Sequence, residues 1–585
     1  MFRSLSFYSC LLIMAVLLTI RVRDSGLHSS KEHLMLTQWD AFGYYQYLPA
    51  LFIYHDCKRL DWMPVVDKEY NVSGGDGFPV QQLENGNKVG KYLAGVAMLQ
   101  APFFAIAHFY SRYKHLPADG FSAPYQYAIG LGALIYVFLA LLLLRKVLLR
   151  YFSEQVTGFS LILLCLASNL VQYAAVDAGL SHVWIFFLYA LLLFLCVCWH
   201  QRPSSFLSFS IGFVIGLATI CRPTEAIALF LPLLWGMYHV DSRRSKWASL
   251  KAHPVLIFWA IAGGIVGIFP QLLYWKMVTG SWIYDVGSKW FFLNPWFRVL
   301  FGWEKGWFIY TPVAILFVLG LFFMKARDFR LPVLVFCLLN IWIVISWEDW
   351  HYGASYSCRA LVQSYPVFAL ALASLVNRTS QQKWMWGMMN VVGGYLVILN
   401  LFQVEQYHEN ILHYDEMNRA YYSRIYLNPH PNAYDMSLLD TRDFVSQEAG
   451  YKPVVLIQLS TSQEIRTNDK ALLLDTLLED AGMGHLKYLK LSVGIWAPCQ
   501  TWQRHLLTVL QLGDTVKRSS IRMFNPVGNE CGDYGWYFQI PEGFHQGRLK
   551  IILESPGTFH GMMNRIVVTG LCKESTSGVR LVRNQ

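Results

Sequence analysis

Charge is what this chain has least of. Asp, Glu, Lys and Arg make up 15% of its 585 residues, against about 25% in ordinary globular proteins. Hydrophobic residues reach 55%, aromatics 16%, and mean hydropathy is +0.33. That scarcity excludes a soluble globular enzyme and points to an integral membrane protein with a polar domain attached. Cysteine pairs of metal-site or thioredoxin-like spacing are missing too. The eleven cysteines are scattered, and Cys10, Cys165, Cys196, Cys198 and Cys337 lie inside apolar runs as small buried side chains. Cys499 and Cys531 could pair if the C-terminal region is extracytoplasmic. No small-x-small cleavage site follows the apolar run Leu5 to Ile20. Arg21, Val22 and Arg23 come instead, so the segment reads as an uncleaved signal anchor. A glycine fingerprint of the Rossmann kind is absent, which removes a nucleotide-sugar domain. The net charge of +10 comes from short basic clusters between apolar spans, a pattern of membrane orientation and not of nucleic-acid binding.

What is present is a series of apolar spans. After the first come 125–144, 157–174, 183–199, 206–221, 226–239, 255–275, 307–324, 331–347, 359–376 and 384–402, about eleven in all. Some are shorter than the roughly 20 residues a crossing takes, a shortfall that thinning or half-buried ends can absorb. With the N-terminus cytoplasmic, the short loops assigned inside hold 14 Lys and Arg in 50 residues, and those outside hold 8 in 70. The positive-inside rule favours that orientation. It places the early loop (21–124) and the C-terminal region outside, in a bacterial inner membrane and its periplasm. The apolar stretch 91–110 would invert every later loop if it crossed. Gln100, Pro102 and His108 interrupt it, so it is expected to lie along the interface. Residues 1–403 thus form the membrane domain and 404–445 a connector. Residues 446–585, with short alternating runs near 454–459, 488–491, 549–553 and 565–568, form a β-rich, sandwich-like domain. Asp469 to Asp480 is expected to be helical.

Chemistry is sought among the few ionisable groups at span ends. Asp40 follows the first span in Trp39-Asp40-Ala41-Phe42-Gly43-Tyr44-Tyr45, on a helix expected to run through Leu51, with Tyr44 on the same face at i+4. An arbitrary lumenal Asp is more often an ordinary surface acid. Its place at the outer membrane surface lets Asp40 serve as general base toward a hydroxyl. Lys91 either snorkels or meets a lipid phosphate at headgroup depth. Arg222, in Cys221-Arg222-Pro223-Thr224-Glu225, either pairs with Glu225 or holds a phosphate bidentately. Arg359, after Trp347-Glu348-Asp349-Trp350-His351-Tyr352-Gly353, has the same two readings. Trp350 and His351 are candidate substrate contacts. Asp177 and His182 are ligands or a second acid, or else a polar turn solvating two helix ends. The aromatics of 276–308 read mostly as an interfacial belt.

The order of these parts resembles the GT-C superfamily of integral-membrane glycosyltransferases, in the branch of protein O-mannosyltransferases and lipid A aminoarabinose transferases. The resemblance covers about residues 1–403. It rests on Asp40 and Tyr44 after the first span, the pair Asp61-Trp62, Lys91-Tyr92 ahead of an apolar helix with Pro102-Phe103-Phe104, and the bundle beyond. The usual Asp-Glu and Pro-Pro are replaced here by Asp40-Ala41 and Tyr92-Leu93. The resemblance implies a polyprenyl-phosphate-linked sugar as donor and an acceptor hydroxyl on protein, lipid or glycan. It also implies inversion, Asp40 as base, and Lys91 and, more loosely, Arg222 at the donor phosphate, where Arg359 is expected to join them. No cofactor is expected; a divalent metal is possible but not indicated. Membrane lipid is a partner and nucleic acid is not. The alternatives are a lipid or glycan flippase, for which no internal repeat is found, a polysaccharide polymerase or ligase, whose largest loop falls late, and a non-catalytic assembly protein.

Overall fold

Helix α1 (Leu5–Asp24) is uncharged until Arg21 and Arg23, cations placed where the carbonyl end of a helix favours them. In the computed structural model, residues 4–24, 35–75, 77–325, 327–460, 462–479, 486–497, 504–523, 532–542 and 544–573 are described; Cys499 and Cys531 lie outside them. The chain divides into two units, 1–404 and 405–585.

In the first unit the helix carrying Asp40 is split. Pro49 has no N–H for the Tyr45 carbonyl and its ring crowds that oxygen, so α2 (Trp39–Tyr45) and α3 (Tyr47–Phe52) part at Gln46 instead of running on together. Helix α4 (Met63–Tyr70) follows, begun by Pro64, then a small antiparallel hairpin, β1 (Val80–Gln82) and β2 (Lys88–Gly90). Helix α5 (Gly95–Tyr113) comes next. Among the described residues six helices are long and apolar enough to cross a membrane: Leu5–Asp24, Ala123–Leu149, Ser181–Gln201, Pro254–Thr279, Arg359–Thr379 and Lys383–His408. Five shorter apolar helices, Glu154–Leu166, Ser205–Cys221, Pro223–Leu234, Val313–Phe323 and Arg330–Ser346, fall on the other expected spans. Helix α5, although 19 residues long, is not among the six; Gln100, Pro102, His108 and Ser111 keep its apolarity low. A reporter fused after residue 115 is therefore expected on the outer face, and one after residue 150 in the cytoplasm. The reverse assignment would show that α5 crosses.

The second unit is an all-antiparallel β-sandwich. One sheet has the order β5 (Lys470–Glu479), β10 (Gln546–Glu554), β7 (His505–Leu512), β8 (Thr515–Arg522). The other runs β3 (Tyr451–Leu459), β11 (Phe559–Lys573), β6 (Leu486–Trp496), β9 (Asp533–Gln539), with β4 (Gln463–Thr467) also on β11. Alternate residues of both sheets, among them Leu491, Val493, Leu510, Trp536, Ile551 and Ile566, share one buried core. The Trp536 indole donates to Thr508 Oγ1 across the two layers at 3.0 Å. Within the segment expected to be helical, 469–480, residues 470–479 are instead strand β5. Its run Ala471-Leu472-Leu473-Leu474 favours a helix locally, but nine-residue pairing with β10 overrides that preference. Residues 404–445 are not a bare connector: short helices Arg419–Ile425 and Ala433–Ser437 belong to this unit. Arg522 bonds Asp440 and Glu416, and Lys517 bonds Asp443, tying that segment to the sandwich.

Candidate active site

Asp40 is placed by a strained turn. Trp39 sits in the left-handed region (φ +55°), where a bulky side chain is a rare and costly occupant, and its amide donates to the Val72 carbonyl at 3.0 Å. Tyr352 and Ser357, in the loop leading to Arg359, share that conformation (φ +55° each). Both chain segments that build the centre thus carry such a residue.

Tyr92 reaches the same carboxylate because two glycines remove what would block it. A Cβ on Gly43 would lie 2.2 Å from the Tyr92 ring, so only glycine lets that ring lie across α2. A Cβ on Gly95 would lie 2.5 Å from the Cys221 amide nitrogen, so the start of α5 can abut the residue before Arg222. The link between them is clamped from Pro254–Thr279: Tyr274 OH accepts from the Gly90 amide at 3.1 Å, and Gln271 Oε1 from the Ala94 amide at 2.8 Å.

The resulting geometry centres on Asp40. Its Oδ1 accepts from Tyr92 OH at 2.5 Å and its Oδ2 from an Arg359 terminal nitrogen at 2.5 Å. The Arg359 side chain is 10% exposed and that of Asp40 32%. Arg359 Nε is buried with no partner. Arg222 is half-buried, no described residue bonds its guanidinium, and its charge acts on Asp40 and Tyr44. Of the two readings of Arg222, the ion pair with Glu225 is not formed among the described residues. Glu225 is bonded instead by Tyr189, Gln363 and Thr224. Tyr44 is buried, hydrogen-bonded to Ser181, with its ring 4.5 Å from that of Tyr92.

Burial alone would raise the Asp40 carboxyl. The Arg359 charge, the hydrogen bonds from Tyr92 and Arg359, and the more distant Arg222 outweigh it and hold Asp40 below the usual carboxylate range. Burial, then the Asp40 charge, pushes the Tyr92 phenol far up, so it stays a donor. Asp177 is the opposite case. Burial raises it to about 6, against the Gln172 hydrogen bond that favours its charged form. Asp177 is held near the centre by Arg21, whose Nη1 donates to the carbonyls of Ala175 and Val176 at 2.8 and 3.1 Å.

Lys91 is exposed, one residue before Tyr92, and no described residue pairs with it. Trp350 turns to Arg298, whose guanidinium lies 3.3 Å from its ring centroid, and His351 packs on Trp350 with centroids 3.6 Å apart. Buried Lys305 bonds the carbonyls of His351 and Gly353, anchoring the loop. His182 is buried and bonds Gln363. Sequence reasoning missed Tyr92 as a partner of Asp40, and it missed Gln363 and Tyr189 altogether. The available signal was a lone amide inside an apolar run, Leu361-Val362-Gln363. Among the described residues no cluster of three His, Cys, Asp or Glu is placed to hold a metal ion.

Gly43→Ala and Tyr92→Phe should act alike, since both remove the Tyr92 hydrogen bond. The acid limb of kcat/KM is expected to move up by about 1 in pH for either. A limb unmoved in Tyr92→Phe would show that the bond does not tune Asp40.

No protein-family model and no curated protein matches the chain. Among solved structures it is similar to apo ArnT from Cupriavidus metallidurans, at 13% identity and a TM-score of 0.41, over 71% of this chain and 68% of that one. It is similar to the oligosaccharyltransferase AglB from Archaeoglobus fulgidus, solved with an inhibitory peptide and a dolichol-phosphate, at 10% identity and a TM-score of 0.42, over 72% and 57% of the two chains. It is also similar to arabinosyltransferase EmbB from Mycobacterium smegmatis, at 11% identity and a TM-score of 0.35, over 96% and 64%. The matched part is thus less than two thirds of AglB and of EmbB. By its own helices and sheets, the chain is a polytopic helical integral membrane protein with a β-rich C-terminal unit.

Proposed function

We propose that the protein is a membrane glycosyltransferase that moves a sugar from a polyprenyl-phosphate-linked donor to an acceptor hydroxyl on the outer face, with inversion. The observation that carries this reading is the surplus of cationic donors around one carboxylate. Arg222 has no described partner, and Arg359 has a free, buried Nε beside the nitrogen it gives Asp40. Guanidinium groups with open donors next to an apolar bundle suit a lipid phosphate.

In this mechanism the acceptor oxygen attacks the anomeric carbon as the bond from that carbon to the phosphate oxygen breaks. The phosphate leaves with the electron pair, its growing charge met by Arg222 and Arg359, with Lys91 at the rim. The acceptor's proton passes to Asp40. A carboxyl held as low as Asp40 is a weak base, so the Asp40–Arg359 pair is the resting arrangement. Donor phosphate takes a share of the Arg359 charge, and Asp40 becomes more basic only when there is something to transfer.

The reading is tested by incubating the purified protein in lipid with a panel of polyprenyl-phosphate hexoses and pentoses. One donor is expected to be consumed with inverted anomeric configuration in the product. Retention, or use of a nucleotide sugar instead, would overturn it.

A further inference from the structure

A chain of buried polar groups runs behind the centre. Glu225, 1% exposed, receives Tyr189 OH at 2.5 Å on one oxygen and the Gln363 amide nitrogen at 3.0 Å on the other, with Thr224 OH also donating at 3.4 Å. Burial pushes this carboxyl up, against the three hydrogen bonds and the nearby charge of Arg222. The Gln363 NH2 faces Glu225, and its carbonyl oxygen faces His182, whose Nδ1 lies 2.9 Å away. The proton of the imidazole is thereby placed on Nδ1. Nε2 is left as a lone-pair acceptor with no described partner. The ring is packed edge-on against Tyr173 at 5.0 Å, so its orientation is fixed. Ser181, the preceding residue, bonds Tyr44, and the charges of Arg222 and Arg359 reach the ring.

We infer that His182, held by Gln363 and Glu225 as a neutral Nδ1-protonated imidazole, uses Nε2 to accept a hydrogen bond from a hydroxyl of the transferred sugar. This rests on the transferase reading and adds a specificity residue to it. The guanidinium groups of Arg222 and Arg359, whose charges reach the ring, offer donors. A ligand group that satisfies both them and Nε2 must accept and donate at once. A sugar hydroxyl does so, whereas a phosphate ester oxygen, with no proton, cannot. His182 therefore separates the sugar end of the donor from its phosphate end. Gln363 and Glu225 act only as positioning residues.

The test uses the full chain in lipid nanodiscs with ring-15N histidine. The His182 signal is expected to show Nδ1 protonated. It should shift at Nε2 on adding polyprenyl-phosphate sugar and stay unmoved by polyprenyl phosphate alone. In Glu225→Gln, the amide of Gln363 is free to turn over, and an Nε2-protonated population should appear. An Nε2-protonated ring in the parent protein, or equal shifts with both lipids, would overturn the inference. These readouts do not need turnover, so they decide it even if the panel finds no transferable donor, a result that would count against the transferase reading alone. Where a donor is turned over, His182→Ala should lose about tenfold in kcat/KM. Removing one particular hydroxyl from the sugar should cost the parent the same factor and the variant nothing more. Losses that multiply for every monodeoxy donor would contradict the contact.

Discussion

Asp40→Asn is expected to fold, bind the polyprenyl-phosphate donor and lose at least about 100-fold in kcat, the scale of a missing general base. The amide keeps an oxygen for Tyr92, so the ring across α2 need not move. It cannot take the acceptor's proton. It also frees Arg359 from its resting partner, so donor affinity should hold or improve. Loss of turnover without loss of donor binding separates chemistry from recognition. Near-normal turnover in this variant would remove Asp40 from the mechanism.

Arg359→Gln should be damaging in a different way. It removes a cation from the leaving phosphate, worth about 100- to 1,000-fold where a site depends on one such donor. It also leaves Asp40 without its ion-pair partner. The expected stability cost near neutral pH is about 1–3 kcal/mol, kept to that range because Asp40 is one-third exposed. The sign of the pH dependence follows from the depressed carboxyl. Its contribution to stability is present above the unfolded carboxylate value of about 3.9 and is lost as pH falls through the lower folded one. The gap in thermal stability between parent and variant should therefore close on acidification. In the parent, the acid limb from Asp40 should lie below the ordinary carboxylate range. A second inflection, from Asp177 at about 6, should disappear in Asp177→Asn. A limb from Asp40 that fails to move upward in Arg359→Gln would contradict the pairing.

The charged part of this centre was legible in the sequence because charges stand out against apolar runs. Asp40, Arg222 and Arg359 lie at span ends, and a polytopic fold brings span ends on one face together. Lys91 is visible by the same logic, yet it points to solvent while its neighbour Tyr92 makes the contact. Neither a tyrosine nor an amide stands out in a chain so rich in aromatics, so Tyr92, Gln363 and Tyr189 are visible only in the folded structure. The eleven apolar segments were readable from composition. The break at Gln46 was readable in principle, since Pro49 stands one turn later. Strand β5 was not, because its partners on β10 lie 67 to 84 residues away and local leucines speak for a helix.

The account stands on a lipid phosphate bound between two arginines at the carboxylate of Asp40. The most direct measurement is a structure of the protein in nanodiscs with polyprenyl phosphate. Phosphate density within hydrogen-bond distance of both Arg222 and Arg359, with Arg359 drawn partly away from Asp40, is the predicted result. Phosphate bound elsewhere, with the Asp40–Arg359 pair undisturbed, would contradict it.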